Sequence, residues 1–451
     1  MAAPPLRELP PAPPAVGADD RRTADRTPPA SATSRPGEAP SPADPPTEVD
    51  VVVVGAGAAG LMAGIQAARR GRATVVLEKK QHPGLKILIS GGGRCNLTTT
   101  RHGSDLEAQY GAVRGRFLRH ALRSFPPSAL RAFVEHAGVP LQEEDLEKLF
   151  PVSQRAGDVV QALLRMLREA GASLLAEAPV TALERHPRGF LVHSARGAFV
   201  APSVVLATGG LSYPKTGATG DGYEFCRRLG HSITPTFPAL APLLVPGWVR
   251  ELQGIVLTEA TLASLDAAGR VRTVRQRPIL FTHHGLSGPA PMDLAGDLEE
   301  ALGAGSVRFD FVPDRSQEQI DAGWLALTAT HGPRRVESML PAGLPERLRS
   351  TLATLAGVSG QSLANLPRDG RRRLVQVLKD LRVPVAKSRG YDHAEVTRGG
   401  VVLDEIDART MQSKTVPGLF VCGELLDVDG PIGGFNFQAA FATGRLAGLT
   451  S

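Results

Sequence analysis

The stretch VVVVGAGAAG, residues 51–60, decides the fold. Its four valines are a short β-branched run stopped by glycine, which is typical of a strand buried on both faces of a parallel sheet. A helical stretch then reaches Arg70, and a second predicted strand, residues 73–77, ends at Glu78. These segments predict one βαβ unit of about 30 residues, with the glycine spacing of a dinucleotide-binding turn.

Each glycine of this turn has its own predicted role. Gly55 permits the tight turn, Gly57 lets the backbone approach a pyrophosphate, and Gly60 lets the helix pack closely on the strand. The phosphates would then face the positive end of the helix. Glu78 lies 23 positions after Gly55 and is placed to accept hydrogen bonds from a ribose diol. A lone turn of this kind also occurs without a ligand, but here the strand, helix and terminal acid are all in register.

A second glycine-rich segment, SGGGRCN at residues 90–96, follows the acid-terminated strand, and Lys86 precedes it. Three successive glycines expose backbone amides, and Arg94 or Lys86 could neutralise a phosphate or a ligand carboxylate. The alternative is a flexible loop. The position next to the βαβ unit favours a binding function.

The carboxyl-terminal region contains a third signature. A predicted strand, residues 418–421, leads to Gly423-Glu424, and GGFNFQ at residues 433–438 opens a helix. Such a strand end can bind the ribityl chain of a flavin, and the helix N-terminus can face its pyrimidine edge, where negative charge develops on reduction. Whether Glu424, Asp427 or Asp429 meets the ribityl chain stays open at this point.

Composition limits the other classes of protein. The 451 residues are 42% hydrophobic and 21% charged, and no run approaches the roughly 20 apolar residues of a membrane span. Residues 1–48 are rich in proline and alanine and predict a disordered tail. Because no apolar segment follows the pair Arg21 and Arg22, a secretory signal is not expected and a cytoplasmic location is predicted.

The distribution of charge and of cysteine also limits the possible partners and cofactors. The formal net charge is +6, but arginine is scattered along the chain without a basic block, so a nucleic-acid partner is not expected. Cys95, Cys226 and Cys422 lie far apart and form no CxxC pair. Neither a redox-active disulfide nor a metal site is therefore predicted, and redox chemistry would need a bound cofactor.

The pattern of predicted elements indicates an α/β fold built on a discontinuous Rossmann-like domain with two inserted parts. Predicted strands include residues 174–183 and 204–207, and short β-rich pieces begin near residue 239. Leucine-rich helical stretches follow from residue 316. The predicted divisions are a tail (1–48), an FAD-binding domain (49–238 and 390–451), a β-barrel-like insert (239–313) and a helical insert (314–389).

The chain resembles the BaiN/YhiN-like flavoproteins, a family also described as aminoacetone-oxidase-like, over nearly all of its length after the tail. The segments that carry the resemblance are residues 55–60, 86–98, 150–153, 207–217, 282–289, 395–401 and 423–438. The resemblance implies a permanently bound FAD in a domain interrupted by a β-barrel-like part and a helical part. It agrees with the pattern of predicted elements.

Two sets of candidate site residues follow from the glycine signatures and the resemblance. The predicted cofactor-binding residues are Gly55, Ala56, Gly57, Ala59, Gly60, Glu78, Lys79, Lys86, Gly93, Arg94, Cys95, Asn96, Val180, Thr208, Gly209, Gly423, Glu424, Gly433, Gly434, Phe435 and Asn436. The candidates for the substrate side, where a proton could be supplied, are Tyr213, Lys215, His283, His284 and Tyr391. For each of these five, an ordinary packed or solvated side chain is the alternative.

Three functions remain open. In the first, NAD(P)H reduces the FAD, which then reduces an unsaturated or carbonyl-conjugated small molecule. In the second, an amine or similar donor gives hydride to FAD and oxygen reoxidises it. No second strand–GxGxxG–helix unit is found, so a nicotinamide would dock transiently at the flavin. The third function, from another class, is a flavin-bound RNA-associated or scaffold protein.

Overall fold

The computed structural model describes residues 45–245 and 247–451. Of the predicted tail, residues 1–44 lie outside the described residues. Within the rest of it, Thr47–Glu48 forms a short strand that pairs in parallel with Gly197–Ala201. The last two residues of the predicted tail are therefore part of a strand.

The helices and strands alternate through most of the chain. The α-helices are α1 (Ala58–Arg69), α2 (Leu85–Ile89), α3 (Gly103–Ala108), α4 (Gly111–Ser124), α5 (Pro127–His136), α6 (Ala156–Glu169), α7 (Asp221–Arg228), α8 (Trp248–Glu251), α9 (Pro289–Glu300), α10 (Gln317–His331), α11 (Val336–Met339), α12 (Glu346–Leu355), α13 (Arg368–Lys379) and α14 (Phe435–Thr450). Within the described residues, no helix combines the length and the apolar character that crossing a membrane requires.

The strands fall into several sheets. They are β1 (Thr47–Glu48), β2 (Val51–Val54), β3 (Thr74–Leu77), β4 (Thr98–Thr99), β5 (Leu141–Glu144), β6 (Lys148–Pro151), β7 (Ser173–Leu175), β8 (Val180–His186), β9 (Gly189–Ser194), β10 (Gly197–Ala201), β11 (Ser203–Leu206), β12 (Phe237–Ala239), β13 (Leu243–Leu244), β14 (Val256–Leu257), β15 (Thr261–Leu265), β16 (Val271–Arg275), β17 (Ile279–Thr282), β18 (Gly285–Ser287), β19 (Ser306–Asp310), β20 (Leu381–Pro384), β21 (Lys387–Ser388), β22 (Val396–Arg398) and β23 (Leu419–Val421).

A five-stranded parallel sheet forms the centre of the α/β part, in the order β23-β11-β2-β3-β7. Strand β2 lies at its middle, and its four valines are at most 5% exposed because helices and loops cover both faces. The predicted βαβ unit is confirmed as β2, α1 and β3. The carboxyl-terminal strand β23 pairs directly with β11, so both ends of the described chain build one sheet.

The prediction of one strand over residues 174–183 is wrong. Strand β7 extends the central parallel sheet, whereas β8 pairs antiparallel with β9 in a separate four-stranded sheet. The break has a local cause, because Glu177 adopts a φ of 53° and Pro179 has no N–H for a ladder. The chain therefore leaves one sheet and enters another.

The inserted part contains two sheets and a helix that the sequence did not predict. One sheet has the order β14-β17-β18-β13-β21 and the other β16-β15-β19-β20. Helix α9 contacts strands of both sheets. Helices α10 to α13 share a second hydrophobic core with these strands, and this core includes Phe281, Phe309 and Trp324. The insert therefore has a core of its own.

Helices α1 and α14 pack with their backbones in close approach. A Cβ atom added at Gly444 would lie 2.3 Å from the carbonyl oxygen of Ala59, and one at Gly448 would lie 2.2 Å from that of Ala63. Only a residue without Cβ fits at these two positions. This contact packs the carboxyl-terminal half of α14 against the first half of α1, the helix that follows the glycine turn.

We expect Gly444→Ala to lower the free energy of unfolding by about 1–3 kcal/mol, because the new methyl must push backbone atoms apart. Thermal or urea unfolding measures the change. Gly323→Ala is the matched control: it lies inside α10, and its Cβ would meet no heavy atom within 4 Å. There the substitution should stabilise slightly, by about 0.5–1 kcal/mol, since alanine favours a helix. Equal effects at both positions would contradict the close packing.

Candidate functional site

A cavity of about 580 Å³ opens between the glycine turn and the start of the insert. This volume is in the usual range for small-molecule and cofactor sites. The cavity brings together the carboxyl ends of β2, β3 and β11 and the amino end of α14, with Leu240 from the start of the insert. The predicted cofactor-binding residues among its lining are Gly55, Gly57, Ala59, Glu78, Lys79, Lys86, Arg94, Asn96, Val180, Thr208, Gly209, Gly423, Glu424, Gly433, Gly434 and Asn436.

The glycine turn has the geometry that close approach to a ligand requires. Gly55 adopts a φ of 101°, and a Cβ at Gly60 would lie 1.8 Å from the carbonyl oxygen of Gly55. Gly57, in contrast, is extended, and a Cβ there would meet no protein atom within 4 Å. Because Gly57 lines the cavity, the space beside it is open to a ligand. Helix α1 has no side-chain cap, so its first amides are left for an anion.

The Glu78 carboxylate is held in place at the edge of the cavity. Its Oε2 atom accepts a hydrogen bond of 2.8 Å from the N–H of Ala56, and its Oε1 atom accepts one of 2.9 Å from the N–H of Lys80. Each oxygen has a further lone pair, so the carboxylate can still accept hydrogen bonds from a diol. These observations fit the ribose part of an FAD molecule.

Arg94, in the loop of residues 90–96, is held by neighbouring side chains. Its guanidinium donates to Glu144 at 2.9 Å and to Gln154 at 2.8 Å, and it lies 4.2 Å from the centre of the Phe150 ring. The pKa of Glu144 is lowered by hydrogen bonds from Gln154 and Arg94. Arg94 therefore forms a fixed positive part of the cavity wall.

Lys86 and Glu424 form an ion pair beneath the cavity. Lys86 Nζ lies 2.6 Å from Glu424 Oε2 and donates to Ser212 Oγ at 2.7 Å. The other oxygen of Glu424 accepts from Ser212 Oγ and from the N–H of Thr397. Of the three acids considered for the ribityl chain, only Glu424 lines the cavity, whereas Asp427 and Asp429 do not.

The amino end of α14 also faces the cavity. The helix follows Gly434, which has a φ of 85° and provides no side-chain cap, and Asn436 and Phe437 line the cavity. A helix of 16 residues places a partial positive charge at this end. This fits the predicted position of the flavin's pyrimidine edge.

Five predicted cofactor residues are not part of the cavity lining: Ala56, Gly60, Gly93, Cys95 and Phe435. Cys95 is fully buried, and desolvation raises the pKa of its thiol to about 12. The pKa of Cys422, which is also buried, is raised to about 12 for the same reason. Neither thiol is suited to act as a nucleophile at neutral pH.

Of the substrate-side candidates, only Tyr213 lines the cavity. Burial, and then the nearby Glu395, raise the pKa of its phenol. The N–H of Tyr213 donates to the carbonyl oxygen of Tyr391, whose hydroxyl is buried outside the cavity lining. Lys215 is exposed, and the rings of His283 and His284, tilted at 46° to each other, lie in the turn between β17 and β18. The structure therefore gathers only one of the five at the cavity.

Two residues of the cavity were missed from the sequence. Lys148, at the start of β6, and Glu395, just before β22, both line it. Glu395 opens one of the segments that carry the family resemblance, and Lys148 lies two positions before another. That proximity was the available signal. No group of three or more possible metal ligands occurs in the described part of the chain.

The comparisons with known proteins agree with this geometry. The family model described as "HI0933-like protein Rossmann domain" matches residues 49–450. A ribosomal RNA dihydrouridine synthase of Escherichia coli is 32% identical, over 87% of this chain and 96% of that protein. A 3-dehydro-bile acid delta(4,6)-reductase of Clostridium scindens is 30% identical, over 88% and 97%. A ribosomal RNA dihydrouridine synthase of Haemophilus influenzae is 29% identical, over 88% and 97%.

Proposed function

The chain belongs to the HI0933-like family of FAD-binding Rossmann proteins and is an FAD-dependent oxidoreductase, and on that premise we propose that it reduces a carbon–carbon double bond conjugated to a carbonyl group. We further propose NAD(P)H as its electron donor. The observation that carries the proposal is the cavity itself. It is lined by the glycine turn, by the amino end of α14, and by Lys148, Glu395 and Tyr213; we call the part of the cavity lined by these three residues the chamber.

Such a reduction needs a hydride, a proton and a hydrogen-bond donor, and the side chains of the chamber can provide the last two. Bound FAD in its reduced form supplies a hydride to one carbon of the double bond. The neighbouring carbon needs a proton. Between hydride transfer and proton transfer, negative charge develops on the oxygen of the conjugated carbonyl group. The cationic and acidic side chains of the chamber provide a hydrogen-bond donor for that oxygen and a source for that proton.

The relatives support this reaction class. Formation of dihydrouridine saturates a ring double bond conjugated to a carbonyl, and a delta(4,6)-reductase of a 3-dehydro-bile acid does the same on a steroid ring. The two relatives differ in substrate size, but the bond that is reduced has the same electronic character. Shared chemistry on one family fold therefore favours conjugate reduction in this chain over amine oxidation.

We propose a uracil ring of ribosomal RNA as the substrate to test first, with a free conjugated ketone as the second candidate. Two of the three relatives above are named for ribosomal RNA. The sequence favoured a small molecule because arginine is scattered, but a net charge of +6 also suits a polyanion. The bile-acid reductase supports the second candidate.

The test is an anaerobic titration of the yellow holoprotein with NADPH and NADH, followed by addition of an electron acceptor. We expect rapid bleaching of the flavin band, and then reoxidation by unmodified ribosomal RNA, with dihydrouridine measured by mass spectrometry of the digested RNA. Reoxidation by a 3-oxo-4,6-diene steroid alone would identify a small-molecule reductase. A flavin that NADPH and NADH leave oxidised, but that an amine bleaches, would overturn the proposal in favour of amine oxidation.

A further inference from the structure

Among the lysine, arginine and carboxylic-acid side chains that line the cavity in the described residues, two have no protein partner. Among the described residues, neither Lys148 Nζ nor the Glu395 carboxylate makes a hydrogen bond or an ion pair. The other charged side chains of the lining are already engaged, as the pairs Lys79–Asp221, Lys86–Glu424 and Arg94–Glu144 and the amide contacts of Glu78 show. The side chains of Lys148 and Glu395 therefore remain free for a ligand.

The backbone holds both residues in fixed positions. The N–H of Glu395 donates to the carbonyl oxygen of Leu240 at 3.1 Å, and the next residue begins β22, which pairs with β12. Lys148 begins β6, which is the middle strand between β4 and β5. Functional groups placed on such rigid backbone keep their geometry better than groups on loose loops.

Desolvation, and then the carboxylate of Asp293, favour a protonated Glu395. Desolvation raises the pKa of its carboxyl group and Asp293 raises it further, while Lys148 opposes them. Desolvation lowers the pKa of Lys148, and the cations of Arg277 and Arg94 lower it further. The acids Glu395 and Asp293 raise it and so oppose this shift. Arg277 and Asp293 themselves form an ion pair of 3.2 Å behind the chamber. The Glu395 side chain is exposed along the open cavity, and these effects raise the pKa of its carboxyl group above that of a fully solvated one.

We propose that Glu395 supplies the proton for the reduction and that Lys148 binds the carbonyl oxygen of the substrate. This assignment rests on the proposed function. When the hydride reaches one carbon of the double bond, the electron pair of that bond moves towards the carbonyl oxygen, to which Lys148 donates a hydrogen bond. The O–H bond of Glu395 breaks as its proton joins the neighbouring carbon. The resulting carboxylate takes a proton from solvent before the next turnover.

Tyr213 is the competing proton donor in the same chamber. Its phenol lines the cavity, and its raised pKa keeps it protonated at neutral pH. A phenol is a weaker acid than a carboxylic acid, so it would give a rate that is insensitive to pH across the neutral range. The pH profile therefore separates the two residues.

The first test measures the two half-reactions of the holoenzyme separately by stopped flow. In Glu395→Gln we expect unchanged FAD content and unchanged reduction by dithionite, but 10²- to 10⁴-fold slower reoxidation by the conjugated acceptor. The wild-type rate should fall as pH rises through the pKa of Glu395, and the variant should show no such fall. Lys148→Met should weaken acceptor binding about tenfold and keep the pH profile. Glu259→Gln, an exposed site outside the cavity, is the control.

The second test needs neither donor nor acceptor. Because Glu395 lies in the cavity that would hold FAD, its ionisation should shift the absorbance of the oxidised holoprotein, with an apparent pKa above 4.5. Glu395→Gln should remove that transition, and Lys148→Met should move it to higher pH. Wild-type reoxidation kinetics in Glu395→Gln, or a slow step only in Tyr213→Phe, would overturn the assignment. If neither NADPH nor any acceptor changed the flavin absorbance, the proposed function would be wrong. The pH-dependent absorbance transition would still show whether Glu395 is the group that holds the proton.

Discussion

Replacing Gly57 by valine is expected to give a folded, colourless protein. The backbone of Gly57 is extended, with φ at −80° and ψ at −169°, so a valine fits there without strain. Its side chain would meet no protein atom within 4 Å of Cβ and would occupy the space at the cavity wall instead. The pyrophosphate of FAD needs that space to reach the amides of α1. Flavin absorbance per protein after purification measures the effect, and circular dichroism tests whether the fold is retained.

Gly157→Val is the matched control for this experiment. Gly157 lies in the first turn of a helix, α6, whereas Gly57 immediately precedes α1, and at both positions a Cβ would meet no heavy atom within 4 Å. Gly157 does not line the cavity. We expect full flavin content in this variant. Full flavin content in Gly57→Val as well would mean that the pyrophosphate lies elsewhere, and the glycine turn would then be only a structural feature.

Local sequence patterns were enough to select most of the residues that line the cavity on its predicted cofactor side. The strand, glycine turn, helix and terminal acid of residues 51–78 lie within one short segment, and each residue's environment follows from its neighbours. The same holds for the helix that begins after Gly434. In contrast, the sequence could not show which of Glu424, Asp427 and Asp429 lines the cavity. The three acids are close in the chain, and only the path of the backbone decides which of them faces the cavity.

The substrate side depends on contacts that no local pattern contains. Lys148 and Glu395 are far apart in the chain and line one cavity from separate elements: Lys148 begins β6, which pairs with β4, and Glu395 precedes β22, which pairs with β12. His283 and His284 looked like better candidates because histidine is chemically distinctive, but the turn that carries them is outside the cavity lining. Residue type was a weaker guide here than tertiary pairing.

Helix α9 shows another limit of local reasoning. Pro289 and Pro291 lie in its first turn, and in a β-rich neighbourhood two prolines indicate a turn rather than a helix. Proline is tolerated in a first helical turn, where the missing N–H has no partner in any case. Burial between the two sheets of the insert stabilises the helix. Packing that the sequence does not display therefore decides its conformation.

Replacing Arg398 by alanine is expected to lower the free energy of unfolding by about 3–5 kcal/mol, because it leaves the largely buried carboxylate of Asp297 without a counter-charge, whereas Asp429 keeps its ion pair with Arg114. Arg398 is 14% exposed and lies at the junction of the α/β part and the insert. Its guanidinium donates to Asp297 at 2.7 Å and to Asp429 at 3.1 Å. Burial opposes its charge, but Asp429 and Asp297 together raise its pKa above the usual range.

The pH dependence of this loss identifies its cause. Desolvation raises the pKa of Asp297, but Arg398 outweighs it and holds that pKa below its usual value. The ion pair therefore stabilises the wild type above the unfolded-state pKa of about 4, and this stabilisation is lost as pH falls through the lower folded-state value. Urea unfolding should show a large difference between wild type and Arg398→Ala at pH 7 that shrinks below about pH 4.

Arg382→Ala provides the comparison, because the pair Arg382–Asp380 is largely exposed and should change the unfolding midpoint little. A loss in Arg398→Ala that is equal at neutral and acidic pH would instead point to packing. The guanidinium lies so close to Gly296 that a Cβ there would be 2.5 Å from its central carbon. Removing the guanidinium would then open a gap beside α9, whatever the charge of Asp297. Arg398→Met fills much of that gap without a charge, so it would restore stability only if lost packing, rather than the lost ion pair, caused the destabilisation.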